Sequence, residues 1–202
     1  MTSSGNPPPG PQAQVQWIWS AATAGLSALP PWAQHRGVVL YAAAPAQRLM
    51  DWHDGLPASE QRPYSRLWEP VLQSIWSYAA GDDRAWYPIS HALGNYYLSP
   101  QNHIEGQDGP DDADQDEVAA TIFAANAVVH GLVGFAVLAA GRATDYIDNR
   151  WYGADEKRLV TDTKAEVVRQ RSALDLIVES AQDKAAWRPG APKGLIAALR
   201  SD

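Results

Sequence analysis

A chain of 202 residues with 46% hydrophobic and 19% charged residues is long and apolar enough to bury its own core, which excludes a largely disordered protein. A formal net charge of −7 without any local Lys/Arg cluster argues against nucleic acid or anionic lipid as a partner. Cysteine is absent, so disulfides, thiolate nucleophiles and Cys-ligated zinc or iron are excluded.

The opening residues, MTSSGNPPPG, have neither a basic n-region nor an apolar h-region, and a cytoplasmic protein is expected. Residues 1–11 are Ser, Gly and Pro rich, with Pro7 to Pro9 favouring an extended, solvated tail ahead of one helical domain over 12–202. Val15, Ile18, Trp19, Ala22 and Leu26 then recur at helical spacing from Gln12 to Ala28, and Pro30 and Pro31 end that helix. A second helix begins near Trp32, buries Val38, Val39, Tyr41 and Ala42, and is expected to break or kink at Pro45 before resuming to about Trp52.

The segment DGLPASEQRP is turn-like. Leu67, Val71, Leu72, Ile75, Trp76 and Ala79 mark the next amphipathic helix, closed by Gly81. Asp82 and Asp83 suit the start of a shorter helix through Trp86, Ile89 and Leu93 that stops before Pro100. Residues 99–117 read as a long acidic surface loop, and Asp114 with Glu117 as a capping box.

From Val118 to about Ala140 no residue is charged. An uncharged run of this length is long enough to span a bilayer, but Asn126 and His130 one turn apart favour a central apolar helix, about 117–141, enclosed by other helices. Residues 144–152 read as a short connecting helix or turn. Thr163 with Glu166 reads as a second capping box opening a helix with Val167, Leu174, Ile177, Val178 and Ala181 inward. Pro189 to Pro192 break it, and a last segment through Leu195 and Leu199 docks back. The fold class expected is all-α, a single-domain multi-helix bundle.

Three stretches resemble a bacterial family of unknown function typified by YjaG. HRGVVLYAAAPAQRLM, ending in Gln47, Arg48, Leu49 and Met50, is similar to its early helix. LWEPVLQSIWSYAAG is similar to its apolar helix around a single Trp, here Trp76. Glu166 and Gln170 ahead of Leu174, Leu176 and Ile177 look like its late helix. The sequence departs from the pattern at Pro45, at Gln47 in place of an acidic residue, and over 106–116. The resemblance implies an all-helical, soluble bacterial protein and carries no catalytic residues across.

Several constellations bear on chemistry. Asp108, Asp111, Asp112, Asp114, Asp116 and Glu117 invite a calcium reading. An EF-hand counted from Asp112 would need Gly where Glu117 stands and an acidic residue where Phe123 stands, so a solvated loop is expected instead. His91, His103 and His130, with Glu105 as a fourth ligand or base, could form a metal centre of the kind DinB-like helical enzymes use. No pair of them has the spacing that converges two ligands from one helix.

Arg48, Glu166 and Gln170 are polar residues on apolar helices and are expected to meet in a buried network that fixes helix register. Trp52, Tyr64, Trp68, Tyr96, Tyr97, Trp151 and Tyr152 stand near acidic residues and would suit a partner-binding patch. No nucleophile elbow, phosphate loop or dinucleotide fingerprint is present. The expectation is a non-enzymatic helical protein without a cofactor that binds a basic protein, as small acidic immunity-type proteins bind a toxin or nuclease. The alternative is the metal-dependent helical-bundle enzyme.

Overall fold

The computed structural model describes residues 8–99 and 115–201, and every regular element among them is helical. In chain order they are α1 (Pro11–Ser27), α2 (Pro31–Asp54), the single turn α3 (Pro63–Arg66), α4 (Glu69–Ala79), a 3-10 turn (Asp83–Ala85), α5 (Trp86–Leu98), α6 (Asp116–His130), α7 (Val133–Trp151), α8 (Glu156–Ser180) and α9 (Lys193–Ser201). Most of the expected tail lies in 1–7, outside the described residues, and Pro11 already opens α1.

Prolines set several of the starts. Pro31 occupies the first turn of α2, where the missing N–H costs nothing and the fixed φ is already helical. Pro45, by contrast, lies inside α2, yet the helix runs unbroken from Pro31 to Asp54. The expected interruption is thus corrected. One lost backbone bond is outweighed by packing, because every residue from Gly37 to Ala46 is buried.

The largest difference from expectation concerns the apolar run. It forms two helices instead of one, because Gly131 takes the left-handed conformation (φ 66°) that caps α6 and Leu132 is extended before α7 starts. The connection expected at 144–152 is the second half of α7. At 15 residues α6 is about 22 Å long, short of the roughly 30 Å of a bilayer core. None of the described helices is long and apolar enough to cross a membrane.

The core is built on α2 and α6 packed against each other, with α7 against both. Every residue of α6 from Asp116 to Val128 is buried. Ala42, Ala43, Ala44 and Ala46 of α2 and Ala119, Ala120, Ala124 and Ala125 of α6 are all fully enclosed, and such small side chains permit close helix contact. Around this pair lie α1, α4, α5, α8 and α9.

Caps were less legible than apolar faces. Helix α8 starts at Glu156, seven residues before Thr163, and its cap is Asp155, whose carboxylate accepts from Arg158 N at 3.0 Å. Thr163 and Glu166 are buried interior positions of that helix, so the second capping box is corrected. Of the first, Asp114 lies outside the described residues, while Glu117 instead accepts a 2.6 Å hydrogen bond from Ser65 Oγ. Helix α9 docks through Leu195 and Leu199, and Ala191 N donates to Ala79 O at 2.9 Å just ahead of it.

Candidate functional site

Arg48 on α2 and Glu166 on α8 face each other inside the core. The guanidinium donates Nη2 to Oε1 at 2.6 Å and Nε to Oε2 at 3.2 Å. Gln170 donates Nε2 both to Glu166 Oε1 and to Ala140 O at 3.0 Å, which ties α7 into the same network. The expected meeting of Arg48, Glu166 and Gln170 is therefore observed. Tyr41 stands beside them, and burial, reinforced by the Glu166 carboxylate, pushes its phenol above the ordinary range. Among the described residues, Tyr41 OH, Arg48 Nη1 and Gln170 Oε1 have no hydrogen-bond partner.

Outward from this network, Arg169 Nη1 lies 3.8 Å from Glu166 Oε2 and forms part of the wall of a surface cleft of about 460 Å³. The cleft lies between the C-terminal ends of α2 and α7 and the first half of α8. Trp52 and Tyr146 stack across it with ring centroids 5.4 Å apart. Trp151 donates its indole N–H to Asp162 at 2.8 Å, and Asp51 stands on the α2 side. Two arginines use these rings: Arg150 lies 5.2 Å from Trp151 and donates to Tyr146 OH, and Arg158 lies 4.8 Å from Trp151.

The seven aromatics expected to form one patch separate. Trp52 and Trp151 belong to this cleft. Tyr64, Trp68 and Tyr96 line a second, uncharged cleft of about 300 Å³ between α4 and α5, where Trp68 meets Tyr96 edge to face. Trp68 and Tyr96 are buried, and their role there is packing. Tyr97 accepts a 3.2 Å hydrogen bond from Asn126 Nδ2, and Tyr152 is exposed beyond the end of α7.

The histidines form no centre among the described residues, which contain no group of three His, Cys, Asp or Glu able to hold a metal. His91 is exposed on α5 beside Asn95, and His130 ends α6 against Phe135. His103 and Glu105 lie outside the described residues, as do Asp108, Asp111, Asp112 and Asp114 of the calcium reading. Asp116 is a buried residue at the start of α6. Burial raises its pKa to about 6, against the lowering effect of Arg142, 3.7 Å away.

The sequence reading missed Asp51, Tyr146, Arg150 and Asp162. Tyr146 and Arg150 are four apart on a helix, a spacing that brings a ring under a guanidinium and could have signalled them. No family model, curated protein or solved structure matches the chain.

Proposed function

We propose that this chain is a non-enzymatic binding protein that takes a basic protein segment into the Trp52–Trp151 cleft. The observation that carries the reading is that the rings of Tyr146 and Trp151 already hold guanidinium groups, those of Arg150 and Arg158. Faces that accept an internal arginine accept an external one by the same quadrupole attraction. Two further features favour a cation. The C-terminal, negative ends of the α2 and α7 dipoles converge on the cleft, and Asp51 and Asp162 line it together with Arg150 and Arg169, so that displacing Arg150 leaves the carboxylates in excess. The net charge of −7 would steer such a partner over longer range.

In this reading Arg150 is an internal occupant that the partner displaces. An oligoarginine peptide titrated against the full chain, followed by tryptophan fluorescence, tests it. Binding should weaken at least about tenfold in Trp151→Ala and strengthen in Arg150→Ala. No response in either the natural chain or Arg150→Ala would overturn the reading. Stoichiometric zinc, nickel or iron in the purified protein, lost in His130→Ala, would replace it with the metal-dependent one.

A further inference from the structure

His53 is buried near the C-terminal end of α2, 4% exposed, and both nitrogens of its ring are engaged. Arg62 N donates to Nε2 at 2.8 Å, and Nδ1 lies 3.2 Å from Asp54 Oδ1. A backbone amide can only donate, so Nε2 carries a lone pair and the ring proton sits on Nδ1, toward the Asp54 carboxylate. The geometry requires a neutral imidazole in one tautomer. A second proton would have to enter at Nε2, setting two N–H groups against each other in a buried place.

This bond closes a segment that has little else to hold it. No residue from Asp54 to Arg62 is buried. The Gln61 amide ties the turn to Asp54 O and Leu56 O, and His53 fastens its far end to α2. At its near end, Gly55 and Leu56 form part of the wall of the Trp52–Trp151 cleft.

We propose that His53 is a proton-operated latch. With the ring neutral it holds Arg62 and keeps the 55–62 segment against α2; protonation at Nε2 releases Arg62 and loosens the cleft wall at Gly55 and Leu56. The effect on the cleft rests on the function proposed for it, whereas the latch stands without that reading. Histidine is the side chain whose charge ordinarily changes between about pH 5 and about pH 8, so the latch is closed at the upper end of that range and opens as pH falls. The charged groups about it act in opposite senses. Asp54 favours a charged ring, Arg62 on the segment itself disfavours one, and Arg66 is bonded to Gln61. On α2, Asp51 accepts from Gln47; on α6, Glu117 accepts from Ser65 and Asp116 pairs with Arg142 of α7. Across the cleft, α7 and α8 present Arg150, Asp162 and Arg169.

Nitrogen-15 NMR of the full chain reads the ring and the Arg62 amide separately. At about pH 7.5 His53 should carry its proton on Nδ1, and on acidification the ring and the Arg62 amide should shift together with one midpoint. His53→Gln supplies an oxygen acceptor that does not titrate, so there the Arg62 amide should stay still over the same range. Asp116, with its pKa of about 6, is kept in that variant and cannot account for the difference. A proton on Nε2 at about pH 7.5, a ring that stays neutral until the chain unfolds, an Arg62 amide indifferent to the ring, or a shift that persists in His53→Gln would overturn the latch. Oligoarginine affinity should fall at least about fivefold between about pH 7.5 and about pH 5.5 in the natural chain and stay level in His53→Gln. The same pH dependence in both would overturn the link to the cleft. Absence of peptide binding at every pH would overturn the binding function instead, with the NMR titration still deciding the latch.

Discussion

Arg48 and Glu166, 118 positions apart in the chain, share a two-bond ion pair at 7% and 0% side-chain exposure. Such a pair contributes little net energy compared with apolar residues of the same shape, but losing one partner leaves a buried charge uncompensated. Arg48→Ala and Glu166→Ala should each cost about 3–5 kcal/mol, measured by urea denaturation. Arg48→Met combined with Glu166→Leu should recover most of that loss. If the double variant were as unstable as the singles, the two residues would not be acting as a pair.

The Tyr41 hydroxyl sits in the same region without a hydrogen-bond partner among the described residues, and the ring around it is almost fully enclosed. Removing an unsatisfied buried hydroxyl relieves a desolvation cost. Tyr41→Phe should therefore be neutral or stabilising. A loss above about 1 kcal/mol in thermal melting would show that the hydroxyl makes a bond that matters.

Gly190 packs where no side chain fits: a Cβ there would fall 2.3 Å from the backbone of Ala80. Neither backbone can give way without parting the Ala191–Ala79 hydrogen bond that seats the approach to α9. Gly190→Ala should lower the melting temperature more than Gly131→Ala does. At Gly131 the added cost is chiefly the left-handed φ of 66°, about 1 kcal/mol. Protease release of the C-terminal segment in Gly190→Ala alone would confirm the order.

Asp116 makes stability depend on pH in a defined direction. Between the ordinary carboxylate value of 3.8 and about 6, the folded chain holds a proton there that the unfolded chain has released. The stabilisation from this group is present below that window and is lost as pH rises through about 6. Asp116→Asn stays neutral at every pH. It should therefore gain on the natural chain as pH rises, read from denaturation midpoints at about pH 4.5 and about pH 7.5. Parallel profiles for the two would remove Asp116 as the cause.

How far the sequence disclosed all this depended on the kind of information involved. The network of Arg48, Glu166 and Gln170 was legible because polar residues on apolar helices have few places to go other than one another. Apolar faces were legible for the same reason: Leu195 and Leu199, or Ile75 and Trp76, follow the helical period. The break at Gly131 was not, since glycine in an apolar, alanine-rich run serves close helix contact as readily as a left-handed cap. Pro45 misled in the opposite direction, because its cost is local and what offsets it is tertiary. The aromatics divided for lack of a directional signal. Trp68 and Trp151 carry the same ring, yet the former is buried against Tyr96 and the latter stands half-buried at a cleft.

The placement of α2 has a consequence for how the chain is made. This helix is complete by residue 54, but the surfaces that enclose it belong chiefly to α6 and α7, with smaller shares from α4 and α8. During synthesis its alanine-rich flanks and the Arg48 side chain emerge long before Glu166 does, with α1 and α4 alone present early to cover part of the helix. A chain whose central helix is covered mainly by later elements closes its core late in synthesis, the condition under which exposed apolar surface favours aggregation.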